Sequence, residues 1–248
     1  MLPRPKGLIS PARSLRTAAA LILLVAPGAT AQQERIDSPY RWAPGALRVG
    51  LVGGYFDSSR GSFDFGPGPT AVVGGRFRAR ISSPLTIELG TLIGDSRRFV
   101  IDPRLAEGPA PVDTVSTTWG LLQFGLQLSL TGSRTWHRVQ PFLLFGTGLM
   151  FGLREERSEI FAEPELEGFR YNLGTAPLFQ AGLGTEIRAS RRLGIGLEAR
   201  DYLIRLKAPD GFFLPEVLDT IEEAGAPAPR DTQWPSNVEF SVSLWYYL

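Results

Sequence analysis

Residues 120–130 read Gly-Leu-Leu-Gln-Phe-Gly-Leu-Gln-Leu-Ser-Leu, with an apolar side chain at every second position. Successive Cβ atoms of an extended chain point to opposite sides, so Leu122, Phe124, Leu126, Leu128 and Leu130 share one face. Gln123, Gly125, Gln127 and Ser129 share the other. The segment matches the ~9–11 residues with which a tilted strand crosses a bilayer.

The same period returns along the chain and predicts strands over 47–56, 70–81, 85–94, 114–130, 139–151, 176–189, 193–206 and 235–247. In the second, Ala71, Val73, Phe77, Ala79 and Ile81 oppose Arg76, Arg78 and Arg80. Leu85, Ile87, Leu89 and Ile93 oppose Thr86, Glu88 and Gly90 in the third. The sixth sets Phe179, Ala181, Leu183 and Ile187 against Gln180, Gly182, Gly184, Glu186 and Arg188. In the last, Val238, Phe240, Val242, Leu244 and Tyr246 oppose Asn237, Glu239, Ser241 and Ser243. The seventh begins with Leu193, Ile195, Leu197 and Ala199 on one side, then places Asp201 among them while Tyr202, Ile204 and Leu206 take the other parity. A β-bulge near Arg200–Asp201 would restore the phase; alternatively the strand has left the apolar layer by that point.

Connections alternate in length. Residues 82–84, 131–138 and 190–192 make short turns, whereas 57–69, 95–113, 152–175 and 207–234 are long and rich in Gly, Pro and charge. Loops beyond ~15 residues are uncommon in compact soluble domains, and short turns at one end with long loops at the other mark transmembrane barrels. The expected fold is therefore all-β: an eight-stranded, antiparallel, up-and-down transmembrane barrel with short periplasmic turns and long extracellular loops. A soluble periplasmic lipid-binding barrel would turn the apolar face inward instead. Strands closed in lipid satisfy their backbone groups and set a charge-free face against acyl chains. Tyr40, Trp42, Trp136, Trp245, Tyr246 and Tyr247 are expected to form an aromatic girdle at the periplasmic interface.

The N-terminus agrees. Arg4, Lys6, Arg13 and Arg16 precede an apolar run at 18–26 and a small-residue site, Ala29-Thr30-Ala31, so 1–31 reads as a signal peptide. The run is shorter than the ~20 residues a spanning helix needs. Residues 32–45 then form a short periplasmic segment and 46–248 the outer-membrane barrel domain. The 26 Lys and Arg against 25 Asp and Glu fall to 22 against 25 without the leader, so no nucleic-acid partner is implied. The chain has no cysteine, which excludes disulfides and thiolate chemistry.

With this pattern, and with the terminal Phe240-Ser241-Val242-Ser243-Leu244-Trp245-Tyr246-Tyr247-Leu248 resembling the C-terminal signal of outer-membrane proteins, residues 46–248 resemble the small barrels of the OmpA/OmpX/OmpW type. That family usually ends on an aromatic residue, where this chain has Leu248. The resemblance implies a monomer in the outer membrane of a Gram-negative cell, contacting lipid and lipopolysaccharide and inserted by the outer-membrane assembly machinery. No peptidoglycan-binding domain is expected after the barrel.

The inward face carries Arg48, Arg76, Arg78, Arg80, Arg188 and Arg200 with Glu88, Glu186, Glu198 and Glu239. A narrow barrel is filled by its own side chains and buried charges must pair, so a plug of ion pairs is expected, with Arg78 near Glu88 across one hairpin. The loops at 152–174 and 207–234 are acidic, including Glu155, Glu156, Glu159, Glu163, Glu165 and Glu167 in the first, while Arg134, Arg138, Arg191 and Arg192 sit in short turns. Clustered carboxylates suit Ca²⁺ or Mg²⁺, yet their spacing matches no calcium loop and a solvated acidic surface is the simpler reading. Leu214, Val217, Leu218 and Ile221 fall at i, i+3, i+4 and i+7 behind Pro215, predicting a short helix that caps the barrel or rests on the outer leaflet. Some eight-stranded barrels modify lipid A with Ser and His near the outer rim, but the one histidine, His137, lies in a short turn at the other end. No catalytic, metal or cofactor-binding residue is assigned. The expected role is structural or surface-interacting. The alternative is a transport barrel for small or apolar solutes, with a lateral opening near Asp201.

Overall fold

The computed structural model describes residues 39–42, 45–61, 64, 66–102, 110–154, 167–171, 173–223, 225 and 228–248. The signal peptide, most of the segment 32–45 and the acidic run at 155–165 lie outside the described residues. Eight long strands build the molecule: β1 Leu47–Asp57, β2 Thr70–Arg80, β3 Leu85–Asp102, β4 Ala110–Ser129, β5 Val139–Gly152, β6 Thr175–Arg188, β7 Leu193–Ile204 and β8 Ser236–Tyr247. Each pairs antiparallel with its neighbours in sequence. The ladder from Val238↔Asp57 to Tyr247↔Arg48 joins β8 to β1 and closes the barrel. A closed sheet leaves no strand edge, so every ladder group is paired without water.

The outer face is an apolar belt. Leu51 is 72% exposed, Val73 64%, Leu183 60% and Phe240 58%, and Leu122, Phe124, Leu126 and Leu128 stand in the same layer. Exposed apolar side chains around a whole barrel have no favourable partner in water, whereas acyl chains satisfy them. Asp57 and Asp95 end the belt on the long-loop side of their strands, while Asp201, in register with Val238 and through it Asp57, is followed by one further exposed pair, Leu203 and Phe179. Asp95 accepts from the hydroxyls of Ser116 (2.9 Å) and Thr118 (3.4 Å).

Three sequence expectations change. Residues 95–102 and 110–113 extend β3 and β4 as a ladder that continues from Asp95↔Thr118 to Asp102↔Ala110, with one irregularity at Val100/Ile101. The alternation of apolar and polar residues fades there because Asp95-Ser96-Arg97-Arg98 are polar on both faces and Phe99-Val100 apolar on both, while Val100, Thr114, Val115, Thr117 and Thr118 keep a β-forming composition. The bulge proposed near Arg200–Asp201 is absent: Arg200 pairs with Gly182 and Glu239, and the register runs through Asp201 unbroken. Asp201 stays on the outer face and accepts from Ser236 Oγ at 2.6 Å. Tyr202 and Ile204 are buried on the inner face because the lumen itself becomes apolar at that height.

The third change concerns the girdle. Trp245 and Tyr247 are buried inside the barrel, and only Tyr246 of that trio faces outward. Tyr40 and Trp136 are exposed, and they stand opposite one another in a small ladder between Tyr40–Trp42 and Arg134–Trp136. Beyond β7, Leu206–Lys207 pairs with Thr232–Gln233. Between these two short strands lie a 3-10 turn, Asp210–Phe213, and a helix, α1 Pro215–Glu223, ending before Gly225 at φ 66°, a backbone conformation glycine adopts freely.

Candidate functional site

The interior is the part of this molecule in which sequence and chemistry converge. Period-two alternation turns Arg76, Arg78, Glu88, Glu186, Glu198, Arg200 and Glu239 inward from five strands, all of them buried. Arg78 and Glu88 stand directly opposite in the β2–β3 register. Arg78 Nε donates to Glu88 Oε2 at 2.6 Å and its Nη2 to Glu198 Oε1 at 2.7 Å. Arg76 bridges Glu198 and Glu239, each at 2.6 Å. Arg200 Nη1 reaches Glu88 Oε1 at 2.6 Å, and the same guanidinium also donates to Glu198. Nearer the short turns Arg48 Nε meets Glu186 Oε2 at 3.1 Å, and Arg78 Nη1, 3.5 Å from the same oxygen, joins this pair to the network.

Charge balances among these ion-paired groups: four arginines (Arg48, Arg76, Arg78, Arg200) face four glutamates (Glu88, Glu186, Glu198, Glu239). Desolvation of isolated ions costs several kcal/mol each, roughly, so a neutral, bidentate network is the arrangement that a closed interior tolerates. Gln123 and Gln180 accept from Arg200 at 3.3 and 3.2 Å, and Gln127 accepts from Arg48 at 3.2 Å. Arg78 also lies over the Trp245 ring, 4.2 Å from its centroid, adding a cation–π contact in a dry setting. Space for these side chains comes from small partners: a Cβ on Gly50 would stand 2.7 Å from the Trp245 ring.

Toward the long loops the chemistry changes. The Tyr202 hydroxyl contacts Gln123 (3.0 Å) and Glu239, while its ring packs against Phe56, centroids 5.8 Å apart. Phe56 meets Trp119 at 5.1 Å. Val52, Val72, Leu92, Leu121, Met150, Leu178 and Ile204 complete an apolar layer inside the barrel, joined by Tyr171, Leu206 and Ala208 from the loops. Above it, Phe169, Phe212, Val217 and Ile221 form a second cluster, with Phe99 of β3 packed against it. Thus α1 covers loop residues with Val217 and Ile221, while Leu214 remains exposed.

All ten charged residues expected on the inner face are there, with Arg80 half-buried at the short-turn end. The apolar layer was not foreseen. Its signal was present in Trp119, Leu121 and Tyr202, which share parity with Gln123 and Arg200. Of the acidic loop residues, Asp210 pairs with Lys207 at 3.1 Å. His137 sits in its short turn with φ 48°, its ring edge-on to Trp136 at 4.8 Å.

No family model and no curated protein matches the chain. Among solved structures, the outer membrane protein OprG from Pseudomonas aeruginosa aligns with a TM-score of 0.50 at 10% identity, over 82% of this chain and 98% of that one. The fold is that of the small eight-stranded outer-membrane barrels. Neisserial surface protein A aligns over 85% of this chain and 98% of its own, at 10% identity and a TM-score of 0.46. This fold gives physical sense to the apolar exterior: the belt is the lipid-facing surface of a transmembrane barrel, with its short turns and both strand termini on one side.

Proposed function

We propose that the protein is a monomeric outer-membrane barrel with a structural or surface-interaction role, and that its lumen is closed to solutes. One observation carries this reading: two stacked layers, a neutral Arg/Glu/Gln network and the Phe56–Trp119–Tyr202 apolar layer, occupy the interior. Either alone narrows a small barrel, whose interior is just wide enough for side chains. Together they leave water no continuous polar route. Specificity then falls to the long loops and to the extended β3–β4 hairpin, since a rigid scaffold commonly displays binding residues on its connections. Lipid, lipopolysaccharide and the outer-membrane assembly machinery are the partners that such a surface meets. We assign no catalytic role; His137 lies at the end away from the long loops.

The test is reconstitution into planar bilayers. A sealed lumen gives no steady conductance above the lipid background. A large, steady conductance, or swelling of liposomes in small sugars, would support the solute-transport reading instead.

A further inference from the structure

At the short-turn end three segments far apart in sequence converge on one cavity of about 420 Å³. Arg41 arrives on the N-terminal strand Tyr40–Trp42, held by its register with Thr135. Arg138 follows at φ 70° in the turn before β5, and its carbonyl accepts from the Arg188 backbone N–H at 2.9 Å. Arg188 closes β6, and Ser190 and Arg191 lie in the turn after it. Four guanidinium groups therefore line the cavity and, among the described residues, no carboxylate does.

Arg188 is the informative member. It is only 8% exposed, its guanidinium lies over the Tyr247 ring at 4.1 Å, and its Nε and Nη2 have no hydrogen-bond partner. Each arginine of the central network holds a glutamate even where one of its nitrogens is left over, whereas Arg188 has no carboxylate partner among the described residues and lies beside a cavity lined by like charges. Buried polar groups are ordinarily paired, and guanidinium forks match the oxygens of phosphate in a bidentate geometry. The cavity falls in the ~300–1,000 Å³ range of small-molecule sites, with room for a phosphate bearing an organic group.

We propose that this cavity binds a phosphate ester, with Arg188 as the buried anchor and Arg41, Arg138 and Arg191 enclosing the remaining oxygens. The ester can come from a phospholipid headgroup of the periplasmic leaflet or from a soluble phosphate; the chemistry recognised is the same. The N-terminal strand takes part, since it carries Arg41 across the mouth.

The test is native mass spectrometry on the detergent-folded protein, titrated with phosphatidylglycerol, glycerol phosphate and inorganic phosphate. One of these should bind at a single site, and R188Q and the exposed double variant R138Q/R191Q should each weaken it at least tenfold. Both variants should keep the heat-modifiable gel shift of a folded barrel. Binding confined to the lipid assigns the headgroup source, and binding of glycerol phosphate alone assigns the soluble one. Absence of binding by all three, or binding that the folded R138Q/R191Q protein retains in full, overturns the proposal.

Discussion

At the scale of single residues, side-chain parity does most of the work, and its consequences differ by face. Glu198 is shared by Arg76, Arg78 and Arg200. Replacing it with Gln leaves three guanidiniums to share the carboxylates of Glu88 and Glu239, one buried positive charge uncompensated, and breaking a buried pair costs roughly 3–5 kcal/mol. The E198Q barrel should unfold at correspondingly lower urea in lipid vesicles, read by tryptophan fluorescence; an unchanged midpoint would mean a hydrated interior. On the outer face, L126R places a charge mid-belt and should cost about 2–4 kcal/mol, against about 0–1 for S116R beyond the belt's end. The same urea titration separates the two, and equal losses would contradict a lipid-facing belt. Parity alone makes the Arg78–Glu88 pair legible in the sequence. It also had the means to place Trp245 and Tyr247 inside, since they share the parity of Ser241 and Ser243; their aromatic character suggested an interface instead.

Among the elements, those with one apolar face were readable and those with two similar faces were not. Strands β1, β6 and β8 begin and end within a residue or two of their expected bounds. The outer parts of β3 and β4 carry Ser, Thr, Arg and Asp on both sides, so hydrophobic period says nothing there and the ladder alone defines them. Two-residue and three-residue strands such as Leu206–Lys207 and Tyr40–Trp42 are too short to have a period at all. Helix α1 was legible through its i, i+3, i+4, i+7 spacing, and its role follows from the buried pair Val217 and Ile221. V217D should free this cap without unfolding the barrel: limited proteolysis should cut within 214–225 several times faster while the heat-modifiable gel shift persists. Loss of the gel shift would make the cap an integral part of barrel stability.

For the whole molecule, eight alternating segments joined by short and long connections sufficed to infer a closed barrel and its orientation. What the pattern did not convey was that the interior changes from ionic to apolar along its axis. That change looked like a phase slip in β7, because Asp201 outside and Tyr202 inside reverse the usual chemistry of the two faces. Register shows the strand to be continuous and the surroundings to be different on each side. The central claim is thus a lipid-facing exterior around a dry, sealed interior. Cysteine scanning from 120 to 130 tests both halves at once, since the chain has no cysteine of its own. In vesicles, spin labels at 122, 124, 126 and 128 should collide with oxygen and be shielded from a water-soluble nickel relaxer, while cysteines at 123, 125 and 127 should resist a membrane-impermeant maleimide from either side. Nickel access at the even positions would indicate a soluble barrel, and rapid maleimide labelling at the odd ones an open channel.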